Sequence, residues 1–140
     1  MKSSSSATLR GFLVFCTVLP LLGAGAGDPP HTSESSVKHV EAKQAHELIT
    51  GKKVIVLDLR TPAEFKTGRI AGAKNIDFRA PDFEQRIKQL DKAKAYLVHC
   101  ASGGRSSQAL STFTHQQFQS IYHLDGGIKA WEKAGLPLEK

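Results

Sequence analysis

Residues 95–107 read AYLVHCASGGRSS, an apolar run that ends in a cysteine and a glycine-rich turn. An apolar run without turn residues predicts a buried strand. Glycines followed by an arginine and two serines predict a tight turn into a helix. The order of strand, loop and helix therefore places Cys100 at the start of a loop that favours negative charge.

The residues after Cys100 are of the types that make a thiol acidic. A free cysteine has a pKa of about 8.5, which falls to about 3.5–7.5 beside a helix N-terminus or a cation. Gly103 and Gly104 allow backbone N–H groups to turn toward one point, and the next residue is an arginine. Ser106 or Ser107 is expected to cap the following helix. We predict a reactive thiolate at Cys100, and the alternative is a small, inert, buried cysteine.

Strand-like and helix-like patterns alternate along the chain. Apolar faces at helical spacing lie between the apolar runs, and one such helix is expected to end at Gly51. Because parallel neighbours need crossovers, the alternation predicts an α/β fold with a central, mainly parallel, five-stranded sheet and helices on both faces. Three strands then end on one rim, at Arg60, Cys100 and Asp125. The predicted strands are 37–40, 54–57, 73–76, 95–99 and 120–124.

Polar residues follow the second predicted strand. Asp58 and Arg60 lie at its carboxyl end, where ligands gather in open α/β sheets. Two roles stay open for Arg60, namely steering of an anion and a structural ion pair. Asp58 is expected to orient the loop or a neighbour by hydrogen bonding. Thr61 begins the next helix as its N-cap, and we assign Glu64 to the capping box with it, not to catalysis.

Three ordered motifs resemble those of a known family. The first is Asp58-Leu59-Arg60 with the glycine-containing segment up to Asn75-Ile76, the second is the loop 100–106, and the third runs from Leu124-Asp125-Gly126-Gly127-Ile128 to Gly135-Leu136-Pro137. Together they resemble the single-domain rhodaneses, the thiosulfate sulfurtransferases, and indicate a rhodanese domain at 37–140. The chain departs from the family at Arg69, where histidine is common, and at Asp77, where proline is common. Neither change lies in the loop.

The resemblance implies a sulfurtransferase that needs neither metal nor organic cofactor. Rhodaneses take the outer sulfur of an anionic donor such as thiosulfate onto the cysteine as a persulfide, and pass it to cyanide or a thiol. The acceptor thiol is expected on a small molecule or a thioredoxin-like protein. Cys100 would carry the sulfur, and Arg105 would bind the donor and the departing sulfite. The other expected substrate-binding residues are Ala101, Ser102, Gly103, Gly104, Ser106 and Arg60.

Other functions stay open beside sulfur transfer. Cysteine-dependent phosphatases place five residues between cysteine and arginine, whereas four separate Cys100 from Arg105, so we expect a loop matched to sulfur and not to phosphate or arsenate. A sulfur carrier or interaction module without turnover is the main alternative. We expect His99 to be packed and not a general base. The dispersed lysines argue against nucleic acid, and the remaining histidines lack metal-ligand spacing.

Length and composition permit one domain behind an N-terminal leader. The 140 residues are 40% hydrophobic and 23% charged, an ordinary globular composition. Residues 1–26 combine positive charge, an apolar run over 11–22 and small residues at the end, which predicts a signal peptide cleaved after Ala26. Residues 27–36 predict a flexible linker. We therefore expect a periplasmic or secreted protein without stable membrane insertion, in which Cys100 is the remaining thiol.

Overall fold

The computed structural model describes residues 36–140, which form five strands and five helices. The predicted signal peptide and the predicted linker up to residue 35 lie outside these residues. Ser36, assigned to the linker, is instead the first residue of a strand. In chain order the elements are β1 (Ser36–Val40), α1 (Ala42–Thr50), β2 (Ile55–Asp58), α2 (Pro62–Thr67), β3 (Lys74–Asn75), α3 (Phe83–Lys88), β4 (Ala95–His99), α4 (Gly104–His115), β5 (Ser120–Leu124) and α5 (Gly127–Lys133).

The five strands form one sheet in the order β1-β5-β4-β2-β3, and each neighbouring pair is parallel. This confirms the predicted α/β sheet, which is parallel throughout the described strands. The register pairs Asp58 with His99 and Val98 with His123. Because all strands run the same way, the residues that follow β2, β4 and β5 meet at one edge of the sheet, as predicted.

Helices cover both faces of the sheet, because strand side chains alternate between the faces. On one face, Phe83 and Ile87 of α3 and Phe113 of α4 pack in a cluster with Val98 and Cys100. The other face carries α1 and α5, and its buried residues include Ala45, Trp131, Leu97 and Leu124. Within residues 36–140 no helix has the length and apolar character needed to span a bilayer.

Local helix signals are partly confirmed. Thr61 accepts from the backbone N–H of Glu64 and forms the predicted capping box with it, with Pro62 at the first helical position. The predicted serine cap of α4 is wrong. The N-cap is Gly103, whose φ of 99° is left-handed, and Ser106 and Ser107 lie inside the first turn. The serine cap fails because the helix begins at Gly104, directly after the glycine turn and three residues earlier than a cap at Ser106 requires.

Candidate active site

The Cys100 loop, residues 100–103, joins β4 to α4 and is fixed by the first turn of α5. The backbone N–H of Ile128 donates to the Cys100 carbonyl at 2.9 Å, and that of Lys129 donates to the Ala101 carbonyl at 3.1 Å. Gly127 permits this approach, because a Cβ there would lie 2.4 Å from the Cys100 carbonyl oxygen. The third sequence motif therefore supports the second through backbone hydrogen bonds.

Donors surround the sulfur of Cys100. The backbone N–H of Gly103 donates to Sγ at 3.1 Å, and the Ser106 hydroxyl oxygen lies 3.5 Å from Sγ. Burial raises the pKa of the Cys100 thiol, but hydrogen bonds from the Ser106 hydroxyl and from the backbone N–H groups of Ser106, Gly103 and Ser102 outweigh it, so the pKa is lowered. The loop therefore favours the thiolate.

Cys100 is more buried than expected for a reactive thiol. The residue is 1% exposed and belongs to the core cluster on the α4 face. It differs from an inert buried cysteine because its sulfur faces N–H donors and has a lowered pKa. Ser102 of the loop and Gly104, which begins α4, are exposed, so solvent lies next to the loop that holds the sulfur.

The loop residues contribute through their backbone more than through their side chains. Ser102 is exposed, and its backbone N–H, not its hydroxyl, lowers the Cys100 pKa. Gly103 needs its positive φ to direct its N–H at Sγ. Gly104 has no positive φ, and a Cβ there would meet nothing within 4 Å. Ala101 is half-buried and is held by the bond from Lys129.

Arg105 forms an ion pair with Glu64, whose only predicted role is in the capping box of α2. Its Nη1 and Nη2 donate to the two carboxylate oxygens of Glu64, each at 2.8 Å. The Glu64 pKa is lowered to about 2, chiefly by the hydrogen bond from Arg105 and further by those from Thr61 and the charge of Arg105, whereas burial raises it. A guanidinium has five N–H donors, so three remain for an anion. Arg105 therefore brings less net charge to the loop than expected, because Glu64 neutralises part of it.

Arg60 takes the second of the two roles left open for it. Its Nε and Nη2 donate to the Asp58 carboxylate, with the shortest contact at 2.6 Å, and Nη2 also donates to the Gly68 carbonyl at 2.7 Å. Asp58 is fully buried and Arg60 is 5% exposed. The contacts therefore favour the buried ion pair over the expected binding of substrate by Arg60, because Nε and Nη2 are engaged and the residue is buried. Asp58 accepts these hydrogen bonds, and its role in orienting a neighbour stays a prediction.

His99 is packed behind the site. It is fully buried, its Nδ1 lies 3.2 Å from the Cys100 carbonyl oxygen, and its Nε2 lies 3.8 Å from Asp58 Oδ2. Burial lowers its pKa, although Asp58 acts in the opposite direction. The neutral ring therefore serves packing, and its position on the face opposite Cys100 keeps it from acting as a base for the thiol.

A polar cluster that the sequence motifs do not reveal lies beside the loop. His123 Nε2 is 2.8 Å from the Ser106 hydroxyl oxygen, and His123 Nδ1 is 2.9 Å from Asp125 Oδ1. His39 Nδ1 lies 2.7 Å from the same carboxylate oxygen. Strand alternation places His123 on the Ile121 face, which is the face of Cys100. Strand alternation is thus the sequence signal that could have placed His123 on the face of Cys100. The contact between His123 and Ser106 depends in addition on how α4 lies against β5.

Comparison with known proteins identifies the family of this chain. Residues 41–134 match the rhodanese-like domain. Thiosulfate sulfurtransferase 16, chloroplastic, of Arabidopsis thaliana is 36% identical over 70% of this chain and 89% of its own length. Thiosulfate sulfurtransferase GlpE of Shewanella oneidensis is 33% identical, over 71% of this chain and 97% of its own. A rhodanese-related protein from Thermoplasma volcanium superposes with a TM-score of 0.66 at 32% identity, over 73% of this chain and 97% of its own. The chain belongs to the rhodanese family of sulfurtransferases.

Proposed function

We propose that this chain transfers the outer sulfur of thiosulfate or a related donor through a persulfide on Cys100. The observation that carries the proposal is the Gly103 N–H directed at Sγ, together with the lowered pKa of the thiol. A thiolate is the form of cysteine that attacks sulfur. The names of the two curated relatives support thiosulfate as the donor.

The first half-reaction forms one sulfur–sulfur bond and breaks another. The Cys100 thiolate attacks the outer sulfur of thiosulfate, and the bond between that sulfur and the sulfite sulfur breaks. Sulfite leaves with the electron pair, and the negative charge of Cys100 moves to the terminal sulfur of the persulfide. We expect the donors beside Sγ, the Gly103 N–H and the Ser106 hydroxyl, to stabilise that anion as well, while the free donors of Arg105 bind the sulfite oxygens. The step consumes no proton and needs no cofactor.

The second half-reaction restores the thiolate. Cyanide or a thiolate attacks the terminal sulfur of the persulfide, the bond to Sγ breaks, and the electron pair stays on Cys100. With cyanide the product is thiocyanate. A protein thiol, for example on a thioredoxin-like partner, reacts in the same way. Because Cys100 is 1% exposed, the donor and the acceptor both have to reach it past the exposed residues of its loop.

The experiment separates the two half-reactions. The full chain is incubated with thiosulfate, and mass spectrometry of its peptides is expected to find one added sulfur atom on Cys100. Addition of cyanide then removes the sulfur and releases thiocyanate. Cys100→Ser, which keeps a hydroxyl in place of the thiol, is expected to do neither. Loading without release to cyanide identifies a carrier, and hydrolysis of para-nitrophenyl phosphate without loading overturns the proposal.

We also propose that residues 1–26 direct export. The support is the sequence alone, which combines a positive start, an apolar run and small residues before position 27. Expression of the full chain in a bacterium with a periplasm is expected to yield a periplasmic product that begins at Gly27. A product that retains residues 1–26 and stays in the cytoplasm contradicts this proposal, without affecting the proposed chemistry of Cys100.

A further inference from the structure

Two residues outside the sequence-predicted site continue the hydrogen bonds of the thiol. Cys100 Sγ lies 3.5 Å from the Ser106 hydroxyl, which lies 2.8 Å from His123 Nε2, and His123 Nδ1 lies 2.9 Å from Asp125 Oδ1. Ser106 is fully buried and His123 is 2% exposed. The chain of contacts thus leads from the buried sulfur to Asp125, whose side chain is 51% exposed.

The contact with Asp125 determines which nitrogen of neutral His123 carries the proton. The Asp125 pKa is lowered, chiefly by its hydrogen bond with His39 and next by that with His123, so the group is a carboxylate. A carboxylate oxygen accepts, and therefore His123 Nδ1 must donate. Nε2 of the neutral ring is then a bare acceptor, and the proton in its contact with Ser106 must be that of the serine.

Ser106 has one proton and three possible acceptors. They are His123 Nε2 at 2.8 Å, the Gly103 carbonyl at 3.0 Å and Cys100 Sγ at 3.5 Å. While His123 is neutral and takes this proton, the serine oxygen can accept from the thiol S–H. When His123 carries both ring protons, Nε2 donates to the serine, and the serine proton is free to turn to the sulfur. The state of His123 therefore sets whether Ser106 stabilises the thiol or the thiolate.

We propose that Ser106 relays the proton of the Cys100 thiol to His123, so that His123 is a positioning residue for the sulfur nucleophile. The S–H proton moves to the serine oxygen while the serine proton moves to Nε2. A thiolate and an imidazolium remain, and Asp125 accepts from the Nδ1–H of the imidazolium. No proton enters or leaves, and the charge of the site is unchanged. The relay concerns the same thiol as the proposed function and therefore rests on its use as a nucleophile.

The test measures ionisation of the thiol and not sulfur transfer. The ultraviolet absorbance of the thiolate is measured against pH in the full chain. For each protein, the absorbance of the same chain with Cys100→Ser added is subtracted. In His123→Gln the thiolate is expected to appear at higher pH. Alkylation of Cys100 by iodoacetamide is expected to be about tenfold slower near pH 6, the worth of one hydrogen bond to a charged group, and equal to wild type near pH 10. A packing defect would slow alkylation at both pH values.

The groups that surround His123 define the controls. Asp125 and His39 contact it at the rim, and the hydroxyls of Ser106 and Ser107 contact its Nε2 from α4 at 2.8 and 3.5 Å. His99 of β4 interacts with it through charge only, from the other face of the sheet. His115→Gln removes an exposed imidazole at the far end of α4 and is expected to titrate as wild type does. Chelator is present throughout, because ligand-type atoms of His39, His123 and Asp125 lie within 4.8 Å of one another.

A double-mutant cycle tests whether the serine connects the two residues. Ser106→Ala is expected to slow alkylation near pH 6, and His123→Gln added to it is expected to have no further effect, since the connection is already broken. Ser111→Ala removes an exposed hydroxyl of the same helix and is expected to behave as wild type does. Wild-type ionisation in folded His123→Gln, or additive effects in the double variant, overturns the relay.

A measurement on the unaltered protein keeps the relay testable if His123→Gln does not fold. Nitrogen-15 spectra of the neutral imidazole are expected to show a proton on Nδ1 of His123 and none on Nε2. A proton on Nε2 of the neutral ring overturns the relay, because Ser106 then has no acceptor there. None of these readouts requires thiosulfate, so failure of the proposed sulfur transfer and failure of the relay give different results.

Discussion

Arg105 shares its donors between a carboxylate and the surroundings of the thiolate. Its pKa is raised chiefly by the hydrogen bond to Glu64, and the charge of Cys100 raises it further, whereas burial lowers it. Its side chain is 16% exposed, against 36% for Glu64. The pair holds the guanidinium in one orientation while leaving donors for a doubly charged anion. Arg105 therefore acts in the site as one half of an ion pair with Glu64 and not as an isolated cation.

Glu64→Gln tests the energetic part of this pairing. The Glu64 pKa is about 2 in the folded state against 4.5 ordinarily, so its stabilisation is complete above about pH 4.5 and is lost as the pH falls toward about 2. Because Glu64 is partly exposed, we expect solvent screening to limit the loss in the variant to about 1 kcal/mol at pH 7. Urea unfolding across this pH range measures it.

The difference between wild type and Glu64→Gln is expected to shrink between about pH 4.5 and 2, wherever both proteins still fold. Glu84→Gln changes an exposed carboxylate in α3 and is the matched control, with little effect expected. A difference that stays constant down to the lowest pH measured would show that the side-chain change, and not the charge of Glu64, is responsible.

At the scale of elements, α5 supports the Cys100 loop through its first turn. Gly127 has a φ of 60°, and a Cβ there would lie 2.4 Å from the Cys100 carbonyl oxygen and 2.8 Å from the Ala101 backbone. Gly135, after the same helix, has a φ of 71°, and a Cβ there would meet nothing within 4 Å. Both glycines therefore have a left-handed backbone, but only Gly127 lies against other backbone atoms, which makes them a matched pair for substitution by alanine.

Gly127→Ala is expected to cost more stability than Gly135→Ala. Left-handed backbone alone costs an alanine about 1–2 kcal/mol, which is the expected loss for Gly135→Ala. Overpacking adds about 1–3 kcal/mol at Gly127, since the Cys100 loop must move. Thermal unfolding measures both. Gly127→Ala is also expected to raise the pH at which the Cys100 thiolate forms, and Gly135→Ala is not. Equal losses from the two variants would contradict a role for close approach.

Elements governed by local rules were predictable from the sequence. The capping box of α2 needs only Thr61 and Glu64 at the right spacing, and the parallel sheet follows from alternation of strands and helices. Partners distant in sequence were not predictable. Arg105 meets Glu64, 41 positions away, and Ser106 meets His123, 17 positions away, only because α4 packs between particular neighbours. The sequence around Arg60 left two roles open for it, and its burial together with its bonds to Asp58 and Gly68 favours the ion pair.

At the scale of the whole described domain, a buried polar group lies within the sheet beneath the active edge. Asp58 and His99 are register partners on β2 and β4, both fully buried, and Arg60 covers Asp58. Within residues 36–140, His99 Nε2 is left without a hydrogen-bond partner. Protonation of this ring inside the sheet is costly, because burial disfavours the charged form more than Asp58 favours it. The domain therefore carries a site that resists protonation until it unfolds.

This arrangement predicts a loss of stability in mild acid. The His99 pKa is lowered in the folded state, whereas an unfolded histidine titrates near 6.5. Below about pH 6.5 the unfolded chain therefore binds a proton that the folded chain does not, and stability falls with decreasing pH by up to about 1.4 kcal/mol per unit.

His99→Gln removes the imidazole that takes up this proton on unfolding. We therefore expect a lower stability at pH 7 but a shallower decline between about pH 6.5 and 5. His115→Gln replaces an imidazole that is solvated in both states, and its decline is expected to match that of wild type. Urea unfolding at steps across this range measures the slopes, and equal slopes for wild type and His99→Gln would assign the acid sensitivity to other groups.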